Sequence, residues 1–413
     1  MRAAEMGELR WMTRESGSPK VWRMALSGLC ASLVGVGLAR FAYTPLLPEM
    51  IGAHWFRPAA ADYLAAANLT GYLAGAVLAA PLSERVRAVV LLRAMLLVAA
   101  ASFFACASPL TFSWFFLWRL LSGVAGGIIM VLAAPTILAH VDAARRGLVA
   151  GAIIVGVGAG IVISAVLVPG LLAWGLAQTW RALGAAALLL SIVAWNGWPA
   201  EGGARARHAR GRSPGAVGSR ALVALYCEYG LNAVGFVAHM VFLVDFVARG
   251  LGKGLAVGSG YWLLFGLSAA VGPVVTGYVA DRIGFRLALR IAFVVAVGAV
   301  GVLAVNASAI ALVVSSVLVG ILSPGIVPLV IGRVHELVPD DAGRKAAWGL
   351  CTTAFAVGLA AGAYLLSGVF AWSGGAYWLL FLIGAAALLL ALAIELLLSP
   401  PMSECNESGA GAA

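Results

Sequence analysis

The chain has 413 residues, of which 62% are hydrophobic and 11% charged, with a formal net charge of +10. Soluble proteins carry about 25% charged residues, so a water-soluble globule is excluded. The surplus Arg and Lys fall in short segments between apolar runs, with no aromatic interleaving and no basic domain, which excludes nucleic acid as a partner and makes the charge a marker of membrane topology.

Taken in chain order, apolar runs bounded by charged or turn residues cover 24–48, 61–82, 88–107, 112–139, 148–173, 180–198, 220–247, 258–280, 287–305, 309–332, 346–370 and 376–398. Each is long enough to cross a bilayer, so the pattern predicts an all-α polytopic membrane protein with twelve transmembrane helices. Basic residues alternate between the two sides. One side carries Arg10, Arg14, Lys20, Arg23, Arg85, Arg87, Arg145, Arg146, Arg205, Arg207, Arg210, Arg212, Arg220, Arg282, Arg286, Arg344 and Lys345; the other has Arg57, Arg181, Arg249 and Lys253. The positive-inside rule then predicts a multi-pass protein of the cell (inner) membrane with both termini cytoplasmic. Residues 1–23 are polar and basic and lead into a span-length run, so no cleavable signal is expected, and Met24 is an alternative start. The expected organisation is an N-terminal tail 1–20, a six-helix bundle 21–198, a flexible linker 199–219 rich in Gly, Ala and Arg, a second six-helix bundle 220–398 and a tail 399–413. Both tails and the linker are expected in the cytoplasm.

The first span ends Gly35-Val-Gly37-Leu-Ala-Arg40-Phe41-Ala-Tyr43-Thr44-Pro45-Leu-Leu-Pro48-Glu-Met50. This resembles the hallmark of the YbfB/YjiJ branch of the major facilitator superfamily, whose first helix carries an Arg-Phe pair followed by Tyr-Thr-Pro-Leu-Leu-Pro. The resemblance implies the major facilitator fold, two related six-helix bundles in which helices one, four, seven and ten line a central cavity. Arg119 lies in the fourth span within Arg119-Leu-Leu-Ser-Gly123-Val-Ala-Gly126-Gly127, which resembles a second signature of the superfamily. A guanidinium inside a span is costly unless it faces water or an acceptor. Arg40 and Arg119 are expected at one depth, where two forked donors suit an organic anion. Arg40 can alternatively serve the carbonyls freed by Pro45 and Pro48, and Arg119 can snorkel to the membrane edge. The fifth span, with Gly151, Gly156, Gly158, Gly160 and Pro169-Gly170, resembles only loosely the antiporter signature of helix five.

The seventh span carries Tyr226, Glu228, Tyr229, Asn232, His239 and Asp245. Residues 228, 232 and 239 share one helical face. Tyr43, Tyr226, Asn232 and His239 join the two arginines as expected substrate contacts, Glu228 and His239 are candidates for proton coupling, and Asp245 is expected at the interface.

Gly277-Tyr-Val-Ala-Asp281-Arg282-Ile-Gly284-Phe-Arg286 resembles the superfamily loop signature G-x-x-x-D-R/K-x-G-x-R/K, which implies a latch that closes the cytoplasmic side in the outward-open state. Gly277 and Gly284 are expected to allow close approach and a tight turn, with Asp281 pairing to arginine or capping a neighbouring helix. Placing Glu84-Arg85 on Asp281-Arg282 sets an offset of 197 residues, at which Gly75 meets Gly272, Arg93 meets Arg290 and Gly123 meets Gly320. Two related halves follow, with the first-half copy of the turn worn and the latch expected to lean on the second half. The five cysteines form no CxxC pair, and no metal-spaced cluster or nucleotide loop appears. The expectation is a monomeric secondary transporter of a small solute, without cofactor, that rocks between two states with protons as the coupling ion. An exporter whose arginines are structural and a non-transporting sensor are the alternatives.

Overall fold

The computed structural model describes residues 18–142, 145–199 and 218–398; nearly all of the tails and of the linker 199–219 lies outside these. Among the described residues, twelve helices are long and apolar enough to cross a membrane: α1 Lys20–Gly52, α2 Pro58–Arg85, α3 Ala88–Cys106, α4 Phe112–Leu138, α5 Arg146–Leu172, α6 Leu176–Trp195, α7 Arg220–Gly250, α8 Gly254–Ile283, α9 Phe285–Val305, α10 Ala309–Leu337, α11 Gly343–Trp372 and α12 Tyr377–Leu398. Within α1–α6 and within α7–α12 short connections reverse the chain, so α1 and α7 begin, and α6 and α12 end, on the face carrying Arg85, Arg146, Arg220, Arg282 and Arg344. We call this the basic face and the opposite one the far face. Val166, Leu189, Ile192, Val274 and Val294 stand exposed on the helix flanks, a surface that only hydrocarbon satisfies. Trp174 and Trp372, at the far-face ends of α5 and α11, sit where an aromatic belt belongs.

The sequence offset of 197 reappears as packing. A Cβ on Gly75 would lie 2.2 Å from the Val124 carbonyl oxygen, and one on Gly272 would lie 2.2 Å from that of Ile321. Gly123 meets the Asn68 carbonyl and Gly320 meets that of Phe265. Each pair of partners is again 197 apart, so α2 packs on α4 in the same register as α8 on α10. The caps repeat too: the Thr111 hydroxyl accepts from Trp114 N–H at the start of α4, and Ser308 accepts from Ala311 N–H at the start of α10. On the basic face, Arg146 donates to the Val141 carbonyl and Arg344 to that of Val338. Arg93 binds the Trp195 carbonyl through two donors at 3.1 and 2.7 Å, with its guanidinium over the Trp195 ring. Arg290 binds the Glu395 carboxylate at 3.2 Å. In both halves, then, the third helix holds the end of the sixth.

Two helices depart from regular α geometry. In α1 residues Leu33–Leu38 form a π-helical stretch and the helix breaks at Ala42. The stretch runs where α1 lies against glycines of two neighbours, Gly35 backing onto Gly126 and Gly37 onto Gly160. In α7, Ala238–Phe242 and Phe246–Gly250 are π-helical. Such bulges were not legible in the apolar pattern, and they frequently mark functional segments.

The halves meet on the far-face side of the molecule. The Thr44 hydroxyl donates to the Met240 carbonyl at 2.7 Å, and the Trp262 indole donates to Ser164 at 3.2 Å. Phe41 lies on Trp262, and Tyr63 lies against Tyr364. Gly266 lies against Ile161, and Gly158 lies against Ala270. This conformer is closed on the far face.

The repeat makes a direct stability test. Gly75→Ala and Gly272→Ala, each thrusting a methyl into a backbone carbonyl, are expected to lower thermal stability by similar amounts, about 1–3 kcal/mol. Gly277→Ala is expected to be near neutral, because nothing lies within 4 Å of its added Cβ. Equal losses at all three sites would contradict the assigned packing.

Candidate functional site

Arg40 and Arg119 come together, as their shared depth predicts, but they are bound differently. Arg119 is 3% exposed. Its Nη1 donates to the Ala39 carbonyl at 2.7 Å and its guanidinium lies 4.3 Å from the centre of the Tyr43 ring. The Tyr43 hydroxyl in turn donates to the Ala61 carbonyl of α2 at 2.7 Å. Asn68 of α2 braces the same turn of α4, donating to Ser122 and to the Arg119 carbonyl. Arg119 therefore holds a backbone carbonyl of α1 beside the π-helical stretch and does not snorkel to the edge.

Arg40 is half-buried. Its Nη2 donates to the Met240 thioether at 3.3 Å, a weak acceptor, and its guanidinium lies over Phe41 and Tyr72. The carbonyls loosened by Pro45 and Pro48 are not its partners; the α1 carbonyl that an arginine does hold, Ala39, belongs to Arg119. A guanidinium has five donors, so Arg40 retains capacity for an oxyanion. Arg40, Tyr43, Thr44, Asn68, Arg119 and Met240 line a cavity of about 20 Å³, enough for a water molecule. Thr44, Asn68, Tyr72 and Met240 were not singled out in the sequence. Asn68 alone had a signal, an amide within the alanine-rich start of the second span.

The polar face of α7 is real but turned elsewhere. Residues 228, 232 and 239 face the interior of the second bundle, chiefly α12, and not the Arg40 cavity. Gly235, on that face, packs on Leu388, and its carbonyl abuts Gly384. His239 Nε2 pairs with Ser315 at 2.7 Å, and its ring stands edge-on to Phe381. Since Ser315 donates to the Ala299 carbonyl, its oxygen accepts from His239 Nε2–H, leaving Nδ1 bare. A second ring proton would have no acceptor. Neither amide atom of Asn232 has a partner, and neither oxygen of Glu228 does. Glu228 lies within electrostatic range of Glu395, Arg333 and Arg290, and Tyr226 is half-buried nearby on α7. Helical periodicity gives a shared face; it does not say which neighbour that face meets.

Asp245, near the far-face end of α7, does not face solvent. It is fully buried, with Arg249 donating to both its oxygens at 2.5 and 2.6 Å and the Tyr377 hydroxyl donating at 2.5 Å. The turn at 277–286 also differs from expectation in part. Gly284 ends α8 with φ +83°, a conformation suited to glycine, but Gly277 lies in open space and permits no close approach here. Asp281 is exposed and makes no pair with Arg282 or Arg286. Arg282 lies over the Tyr278 ring and Arg286 pairs with Glu395 at 3.4 Å. Glu84 and Arg85 are likewise exposed at the end of α2.

The family model described as "Uncharacterised MFS-type transporter YbfB" matches residues 32–396. The chain belongs to this family of the major facilitator superfamily. Solved structures agree on the fold. A bacterial homolog of the human lysosomal transporter Spinster, inward-facing and unoccupied, superposes with a TM-score of 0.72 at 14% identity, over 92% of this chain and 97% of that one. A variant of the nucleoside transporter NupG gives 0.74 at 15% identity, over 91% and 100%. No curated protein matches in sequence. The matched stretch contains both arginines, the polar face of α7 and the 277–286 turn, so the YbfB-type chain carries its cavity within the family's own extent.

The two arginines are expected to separate by experiment. Arg119→Ala strips the partner from a buried carbonyl and is expected to cost about 1.5–3 kcal/mol in thermal unfolding of the purified protein. Arg40→Ala, losing a thioether contact, is expected to cost less than about 1 kcal/mol. The reverse order would contradict the assignment.

Proposed function

We propose that this transporter moves a small organic anion across the inner membrane by alternating access, coupled to protons. The observation that carries the reading is Arg40, a guanidinium at the seam between the halves whose one hydrogen-bond acceptor is a thioether. An anion reaching this position would displace a weak acceptor and gain charge-assisted bonds. Arg119 contributes positive potential and fixes α1. Tyr43 and Asn68 position Arg119, while Tyr226, Asn232 and His239 act from within the second bundle. Arg119's bond to Ala39 fits the alternative of structural arginines; Arg40 does not fit it.

In this reading the basic face is cytoplasmic, which the distribution of Arg and Lys supports, and the conformer closed on the far face is the inward-facing one. Glu228 is the proton carrier we favour: it is buried, its oxygens are unpartnered, and arginines lie within range. The chain acts as a monomer in the bilayer.

In proteoliposomes, Arg40→Ala is expected to reduce anion uptake at least about a hundredfold, since a charge-assisted contact contributes about 3 kcal/mol, and to abolish the thermal stabilisation that a bound anion gives the native state. Glu228→Gln is expected to uncouple proton movement from that uptake. Normal uptake by Arg40→Ala would remove the anion site.

The 277–286 turn acts as a latch in the opposite conformer. The α5–α8 contacts pair Ser164 with Trp262, Ile161 with Gly266 and Gly158 with Ala270. Continued toward the basic face, this antiparallel register brings Asp281 beside Arg145 and Arg146 when that face closes. Asp281→Asn is expected to shift the population toward the far-face-closed state and slow transport, and Glu84→Gln to do so less. Distances between spin labels on the basic face report it, and an unchanged distribution in both variants would dismiss the latch.

A further inference from the structure

Asp62 lies one turn into α2 and is fully buried, yet neither carboxyl oxygen has a hydrogen-bond partner. Three elements bring ionisable groups within its electrostatic range. From α7 come Asp245 and Arg249; from α12, Tyr377; from α1, Tyr43, whose hydroxyl is held by the neighbouring Ala61 carbonyl. The titratable group of α11 on this side is Tyr364, whose ring lies tilted against Tyr63, and the charged group of α4 is Arg119, which lies on Tyr43. Among the described residues the one cation in electrostatic range of Asp62 is thus Arg249, and Arg249 is already committed to both oxygens of Asp245.

An ionised Asp62 would set a second, unpaired negative charge near Asp245 in the buried interior, an arrangement too costly to persist. The neutral acid removes that conflict. Asp62 belongs to the first half and the Asp245–Arg249–Tyr377 cluster to the second, so opening the far face separates the two carboxyls and admits water. The closed seam therefore holds a proton more tightly than the open one, and by reciprocity the proton favours the closed seam. We propose that Asp62 is a proton-binding site between the halves, and that a proton taken from far-side water onto its carboxylate permits the far face to close. The proposal rests on the alternating-access reading but on neither the anion nor Glu228, which lies at the other end of α7.

The full chain in nanodiscs, without substrate, tests it. Spin labels at Ala53→Cys and Lys253→Cys, in a Cys227→Ser background, report the far-face separation between about pH 5 and pH 9. In the otherwise unaltered chain the closed-to-open ratio is expected to fall as pH rises, by up to about tenfold per pH unit for one proton. Asp62→Asn, a stand-in for the neutral acid, is expected to stay closed throughout. Asp245→Asn frees Arg249 to pair with an ionised Asp62 and is expected to flatten the response. The proposal is overturned by a pH response that survives Asp62→Asn, by none in the unaltered chain, or by sodium closing the face at high pH, which would make this a metal-cation site. A response lost in Glu228→Gln but kept in Asp62→Asn would overturn it equally. Because no substrate is present, a failed anion assay leaves this result standing, and the converse holds.

Discussion

The bond from Arg119 to the Ala39 carbonyl is the constraint on which the central geometry depends. In hydrocarbon every backbone group needs an internal partner, and α1 forfeits regular pairing through its π-helical stretch and the break at Ala42. A buried guanidinium from α4 meets that need at the point where α1 changes course. With α1 fixed there, Arg40 is carried toward α7, Tyr43 toward α2, and Thr44 onto the Met240 carbonyl. Glycines make this possible, since only backbones without Cβ let α1 lie so close to α4 and α5.

Much of the fold was legible in the sequence because lipid imposes a simple rule: long apolar runs, with charge only at their ends. The duplication was legible for a different reason. The glycines at 75, 123, 272 and 320 sit where helix backbones touch, so a shared register in sequence had to be a shared register in space. Arg40 and Arg119 stood out because a charge inside an apolar run calls for an explanation.

What escaped is equally physical. Glu228, Asn232 and His239 were rightly placed on one face, but the target of that face depends on α12, more than a hundred residues away. Asp245 looked interfacial because its partner Arg249 also lies near the helix end, and the Tyr377 hydroxyl that completes its shell comes from α12. Asp62, likewise near a span's end, is fully buried, and position along the span does not reveal it. The π-helical stretches leave no periodic trace, and no sequence pattern announces that Asp281 stands exposed and apart from Arg282 and Arg286.

The ion pairs Arg249–Asp245, Arg286–Glu395, Arg290–Glu395 and Arg333–Glu336 each join residues of the same half. The contacts across the seam are of another kind: a hydroxyl on a carbonyl, an indole on a hydroxyl, a guanidinium on sulfur, and tilted pairs of aromatic rings. All four lie within the second bundle, which keeps these counter-ions to itself, like cargo lashed down before a ship rolls. The rocking movement then breaks no ion pair among these contacts, and the ease of exchange between states is set by how well the two surfaces slide.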